Sequence, residues 1–186
     1  AALESVLETL KGYTEGKIIT VFGCGGNRSR TRRFEMGEVS GKLSDYTVIT
    51  SDNPRKEEPM AIIDDIITGI SKTDGKYEVE ADRSKAISLA VNMACKGDTV
   101  LIAGKGHEDY QIFSDKTIHF DDIEHARNAV IEHCPSVIFS FDQPSLILGA
   151  QVSAHQISDN KSYSCLGFLI SLYSSFTAGT SAVCQP

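Results

Sequence analysis

Three short stretches combine glycine, charge and polar side chains in a way that could hold a small charged ligand. The first is "GCGGNRSRTRR" (residues 23–33). Gly23, Gly25 and Gly26 let a backbone approach a ligand closely, and Arg28, Arg30, Arg32 and Arg33 bring positive charge. The second is "SDNPRKEEP" (residues 51–59). Asp52, Asn53 and Pro54 are ordinary turn residues, because Asp and Asn bond nearby backbone and Pro fixes φ. A turn does not need Arg55, whose planar fork suits a carboxylate. The third is "GKGHEDYQ" (residues 104–111), which sets Gly104, Lys105, Gly106, His107 and Glu108 in consecutive positions. Two familiar phosphate motifs do not fit. "GKG" lacks the G-x-x-x-x-G-K-[ST] pattern, and "GCGGNR" lacks the G-x-G-x-x-G spacing and the acid that reads a ribose.

Taken singly, each stretch reads as a turn, a solvated arginine run or a surface histidine. Together they gain weight from the elements before them. "KIITVFG", "YTVITS" and "DTVLIAG" are apolar, β-branched runs, and each leads directly into one stretch. Helical patterns fall between: "ALESVLETLKGY", "RFEMGEVSGKLS", "EPMAIIDDIITGISK", "DRSKAISLAVNMACK" and "DDIEHARNAVIEH". In the third of these, Pro59 sits near the first turn, and Ile62, Ile63, Ile66, Ile67 and Ile70 share a face. In the fourth, Asp82 is placed to cap. "KYEVEA" reads as a short strand, and "YQIF" with "KTIHF" as a hairpin. Alternating strands and helices predict an α/β fold with a mostly parallel sheet. Loops leaving the carboxyl ends of such strands collect along one edge, where ligands bind.

The chain has 186 residues, 41% hydrophobic and 23% charged, enough for one substantial domain with or without an appendage. A net charge of -7 argues against a general nucleic-acid binder. Five cysteines without C-x-x-C pairing argue against a zinc site or a disulfide framework and favour a reducing cytoplasm. The opening "AALESVLETLKGYT" is already helical in pattern, so the sequence reads as part of a longer one. After Cys134 the character changes. Residues 135–186 carry only Asp142, Asp159 and Lys161 as charges, Ser recurs, and no helical or strand period persists. The expectation is a domain over residues 1–133 and a Ser-rich, irregular appendage over 134–186 outside it. "CLGFLISLY" is too short for a membrane span.

The ordered set GCGGxR, DNPR and GKGHEDYQ is far more specific than its parts. It resembles the C-terminal domain of the Mur ligases, in their diaminopimelate-adding branch, over roughly residues 1–133. The resemblance implies a Rossmann-like α/β domain that holds meso-diaminopimelate. It implies contacts from Arg28, Asn53, Arg55, Gly104 and Glu108, with Asp52 and Pro54 shaping the loop. It also implies an ATP- and Mg²⁺-dependent ligation in the cytoplasm that joins diaminopimelate to UDP-N-acetylmuramoyl-L-alanyl-D-glutamate. ATP, Mg²⁺ and the nucleotide precursor would be held by parts of a longer chain, with no metal ligand, nucleic acid or membrane partner assigned here. Many relatives have Asp, Lys and Pro where this chain has Ser29, Arg32 and Phe34, and the Ser-rich segment has no counterpart. The alternative is a non-catalytic, truncated or repurposed binding module of the same ancestry.

Overall fold

The computed structural model describes residues 2–95, 97–105, 108–133, 151–155 and 167–171. Its elements in chain order are α1 (Ala2–Lys11), β1 (Ile18–Phe22), α2 (Arg30–Leu43), β2 (Tyr46–Ile49), α3 (Pro59–Ile70), β3 (Tyr77–Val79), α4 (Arg83–Met93), β4 (Thr99–Ala103), β5 (Tyr110–Ile112), β6 (Thr117–His119), α5 (Asp122–His133), β7 (Gln151–His155) and β8 (Gly167–Ser171). The main sheet runs β3-β2-β1-β4-β8-β7, and β5 and β6 form a separate antiparallel hairpin. β1 pairs in parallel with both β2 and β4, and β2 with β3.

Alternation along the strands divides the interior into two layers. Ile19, Val21, Val48, Val100 and Ile102 face α4 and α5, where Ala86, Ile87, Ala90, Ala126, Ala129 and Val130 are buried. Ile18, Phe22, Ile49, Leu101 and Ala103 face the other way, toward Leu3, Leu7 and Leu10 of α1 and the isoleucines of α3. A sheet covered on both faces gives continuous apolar strands, which is why β1 and β4 are buried at every position. Asp82 caps α4 as its sequence predicts, accepting from the amides of Ser84 and Lys85. Four of the five α3 isoleucines are buried; Ile67 is only partly so.

The helix α2 does not follow the usual apolar pattern. Its buried positions are Arg33, Gly37 and Ser40. Gly37 lies against the α3 backbone, where a Cβ would stand 2.2 Å from the Ile66 carbonyl oxygen. Reciprocally, a Cβ on Gly69 of α3 would stand 2.0 Å from the carbonyl oxygen of Phe34. The two helices therefore meet backbone to backbone, and no apolar side chain fits between them there.

The segment expected to be irregular contains two strands. β8 pairs antiparallel with β4, in register Val100↔Ile170 and Ile102↔Phe168, and β7 pairs antiparallel with β8. The sequence reading assigns no strand to residues 135–186. In β8, "GFLI" is a short apolar run without alternation; β7, "QVSAH", does alternate, but over five residues only, in a segment that otherwise has no period. The rest of residues 134–186 lies outside the described residues.

Candidate functional site

The strand order reverses between β1 and β4, because the chain steps from β1 outward through β2 and β3 and then returns to β4 on the other side. The loops after β1, β2 and β4 leave three adjacent strands at their carboxyl ends. This is the topological switch point at which open α/β sheets bind ligands.

The first two loops interlock. The Gly26 amide donates to the Asn53 carbonyl at 2.8 Å. Arg55 Nη1 donates to the Gly26 carbonyl at 2.8 Å. A Cβ on Gly26 would stand 1.9 Å from the Pro54 carbonyl oxygen, so only glycine permits this approach. Beside it, a Cβ on Gly25 would lie 3.4 Å from Arg55 Nη1 and 3.8 Å from Arg28 Cγ. Arg28 and Arg55 are thus neighbours across Gly25, with Arg28 exposed and Arg55 partly buried. Arg55 has φ +55°, an uncommon left-handed conformation for a residue with a side chain. Its amide donates to the Ile112 carbonyl at 3.0 Å, which anchors that conformation to the hairpin.

The second and third loops meet through Asn53, which is 3% exposed. Its Nδ2 donates to Glu108 Oε2 at 2.6 Å. Its Oδ1 accepts from the Ile112 amide at 2.8 Å. With every amide atom assigned, Asn53 fixes the direction of the Glu108 carboxylate. Gly104 has φ +120°, and a Cβ there would sit 3.5 Å from the Gly23 carbonyl oxygen and 3.7 Å from Asp52 Oδ2. Asp52, Asn53 and Pro54 are buried, and Gly104 and Glu108 are partly buried. All seven residues named from sequence therefore stand at one edge, where hydrogen bonds join Asn53 to Glu108 and Arg55 to the first loop. Gly106 and His107 lie outside the described residues.

Several further residues, to which the sequence assigned no role, lie beneath the loops. Lys105 is 3% exposed, lies 3.4 Å from Asp52 Oδ1 and 3.4 Å from Asn53 Oδ1, and donates to the Tyr110 carbonyl. Burial pushes its ammonium below the ordinary lysine range, and Asp52 opposes that shift. Gln111 donates to the Asp52 carbonyl at 2.7 Å. Deeper still, Arg83 pairs with Asp122 through Nε at 2.8 Å and Nη2 at 2.7 Å, and also donates to the Ala103 carbonyl at 3.1 Å. Burial disfavours the charge on Arg83, but Asp122 outweighs it and holds the guanidinium above its ordinary range. Lys105 and Gln111 lie inside the quoted stretch GKGHEDYQ, but the sequence assigned them no role. Arg83 and Asp122 gave no signal, since they lie 39 positions apart.

Such an edge can hold a zwitterion with an extra anion. Arg28 and Arg55 present guanidinium donors to a carboxylate. Glu108 and the backbone oxygen of Gly104 suit an ammonium. Among the described residues no group of three or more His, Cys, Asp or Glu could hold a metal ion.

Fold and edge together define the class: an open, Rossmann-like α/β domain with its glycine-rich and charged loops at the strand carboxyl ends. Comparison with known proteins gives the family. Residues 1–106 match the model described as "Mur ligase, glutamate ligase domain". The chain is 49% identical over 130 residues to a UDP-N-acetylmuramoyl-L-alanyl-D-glutamate--2,6-diaminopimelate ligase of Clostridium tetani, covering 70% of this chain and 26% of that protein. It is 56% identical over 122 residues to one from Clostridium acetobutylicum, covering 66% of this chain and 25% of that protein. A solved structure of such a ligase superposes with a TM-score of 0.67 at 39% identity, covering 70% of this chain and 27% of its own. The chain belongs to the Mur ligase family. It spans about a quarter of the length of the curated relatives it matches.

Proposed function

We propose that this chain is the amino-acid-holding domain of a ligase that adds meso-2,6-diaminopimelate to UDP-N-acetylmuramoyl-L-alanyl-D-glutamate in peptidoglycan synthesis. The observation that carries the reading is the placement of Arg28 and Arg55 across Gly25, one loop from the Asn53–Glu108 pair. Diaminopimelate has two amino-acid ends. One must react and the other must be held. Arg55 and Arg28 take the carboxylate of the held end, and Glu108 with the Gly104 carbonyl takes its ammonium. Asn53 contacts the ligand and orients Glu108, while Asp52 and Pro54 shape the loop.

The ligation joins an activated D-glutamyl carboxyl to the free amine of diaminopimelate. ATP phosphorylates that carboxyl, the neutral amine attacks the acyl phosphate, an amide forms and phosphate leaves. This chain contributes position: it fixes the distal end so that the reacting amine faces the acyl phosphate. ATP, Mg²⁺ and the nucleotide precursor belong to the remaining length of a full ligase, working in the cytoplasm where ATP is available. Among the described residues no helix is long and apolar enough to cross a membrane.

The test is calorimetric titration of the chain with meso-diaminopimelate and with lysine, which lacks the second carboxylate. Saturable binding of the first, with much weaker binding of the second, supports the reading. Equal binding of both, or binding of neither, rejects it.

A further inference from the structure

Behind the two arginines, a second set of charges ties the first loop to the second. Arg33, in the first turn of α2, is 2% exposed. Its Nη1 donates to Glu57 Oε2 at 2.9 Å and to Asp65 Oδ2 at 3.0 Å. Its Nη2 donates to Glu57 Oε1 at 2.9 Å and approaches the Gly25 carbonyl at 3.5 Å. Arg30 completes the set, giving Nε and Nη2 to Asp65. Two guanidinium groups and two carboxylates thus balance in charge between α2, α3 and the second loop.

Glu57 does one thing more. Its Oε1 accepts the backbone amide of Asn27. Asn27 has φ +57°, again left-handed, so an acceptor there holds a conformation the chain would readily leave. Asn27 stands between Gly26, whose carbonyl takes Arg55 Nη1, and Arg28. A change at Asn27 therefore alters where Arg28 sits relative to Arg55. Glu57 has both carboxylate oxygens engaged with Arg33, so its negative charge is matched close to a place meant for a ligand carboxylate.

We propose that Glu57, clamped by Arg33, is a positioning residue that sets the spacing of Arg28 and Arg55 and thereby the preference for a ligand with a second carboxylate. This rests on the amino-acid-binding reading above. Glu57 acts through the Asn27 amide and makes no ligand contact of its own.

The experiment uses the full 186-residue chain and titrates meso-diaminopimelate and lysine into wild type, Glu57→Ala, Glu57→Gln, Arg28→Ala and the Glu57→Ala/Arg28→Ala double variant. Glu57→Ala should weaken diaminopimelate by about tenfold, the worth of a charge-assisted contact, and lysine by less than about twofold. Glu57→Gln keeps an oxygen for Asn27 and Arg33 and should recover most of the loss. In the Arg28→Ala background, Glu57→Ala should cost almost nothing more, because both act on one contact. Equal losses for both amino acids, or full additivity in the double variant, would overturn the proposal. A purely structural role would lower the unfolding temperature without moving the ratio between the two ligands. Amide exchange separates this claim from the reading it rests on. If wild type binds neither amino acid, that reading fails, and the clamp is judged by Asn27 alone. Its amide should exchange faster in Glu57→Ala, while that of Gly26, bonded to Asn53, should not. Unchanged Asn27 exchange would overturn the positioning role.

Discussion

Arg55 is where the sequence first departed from what a turn requires, and the structure sharpens its role. One donor is committed to the Gly26 carbonyl, so the fork is already oriented before a ligand arrives. Pre-orientation lowers the entropy cost of holding a carboxylate. Arg28 is exposed and Arg55 only partly buried. Discrimination between diaminopimelate and lysine should therefore lie near the lower end of charge-assisted values, on the order of tenfold. Arg55→Ala should remove most of that preference, and Arg55→Lys should restore little, because a point charge lacks the fork. Comparing dissociation constants for both amino acids checks this, and equal losses would show that Arg55 only supports the loop. Asn53 gives a stability prediction. Asn53→Ala leaves the partly buried Ile112 amide without its acceptor and Glu108 without its donor. The cost should be about 1 kcal/mol, toward the low end for a partly buried group, read as a lower denaturant midpoint with unchanged slope. The types of these residues were legible in the sequence. Their partners were not, because Asn53 meets Glu108 and Ile112 across more than fifty positions.

At the scale of elements, the strands and helices were readable wherever burial was apolar. Both faces of β1 and β4 announce themselves in sequence, as does the isoleucine stripe of α3. The α2 helix shows the limit. Its inward line of Arg33, Gly37 and Ser40 has no apolar period, because an ion-pair network and a backbone contact take the place of side-chain packing. That contact predicts a cost. Gly69→Ala would force α2 and α3 apart against the Phe34 carbonyl, destabilising by about 1–3 kcal/mol or more, and because both helices follow the loops proposed to hold the ligand it should also weaken diaminopimelate. Thermal unfolding and titration of the same variant check both parts. The same interface carries a pH dependence. The hydrogen bonds from Arg30 and then Arg33 hold Asp65 below the ordinary carboxylate range, and the bond from Arg33, followed by the Asn27 amide, does the same for Glu57. Carboxylates depressed on folding stabilise above their unfolded values, near pH 4, and lose that contribution as pH falls through the folded ones. The chain should thus lose stability below about pH 4, and Asp65→Asn should flatten that acid limb. An unchanged limb in Asp65→Asn would remove Asp65 from the account.

At the scale of the whole molecule, we propose that the domain closes at α5, where the helical pattern of the sequence ends, and that residues 134–186 are an addition to it, although β8 borrows the edge of β4. A chain ending at His133 should still unfold cooperatively with near-native stability; a large loss would make the added strands integral. The composition of that segment, poor in charge and rich in serine, hid its two short strands, although QVSAH in β7 does alternate. We propose that these 186 residues taken alone hold diaminopimelate without ligating it. ADP release from this chain that depended on precursor, ATP, Mg²⁺ and diaminopimelate together would contradict that division of labour. The most direct test of the central claim is an amide-resolved NMR titration of the intact chain with meso-diaminopimelate. The account predicts saturable shifts concentrated at Gly26, Asn27, Arg28, Asn53, Arg55, Gly104 and Glu108, with little change at the opposite ends of β1 and β4. Shifts centred elsewhere, or none at saturating ligand, would show that the three loops do not form a diaminopimelate site.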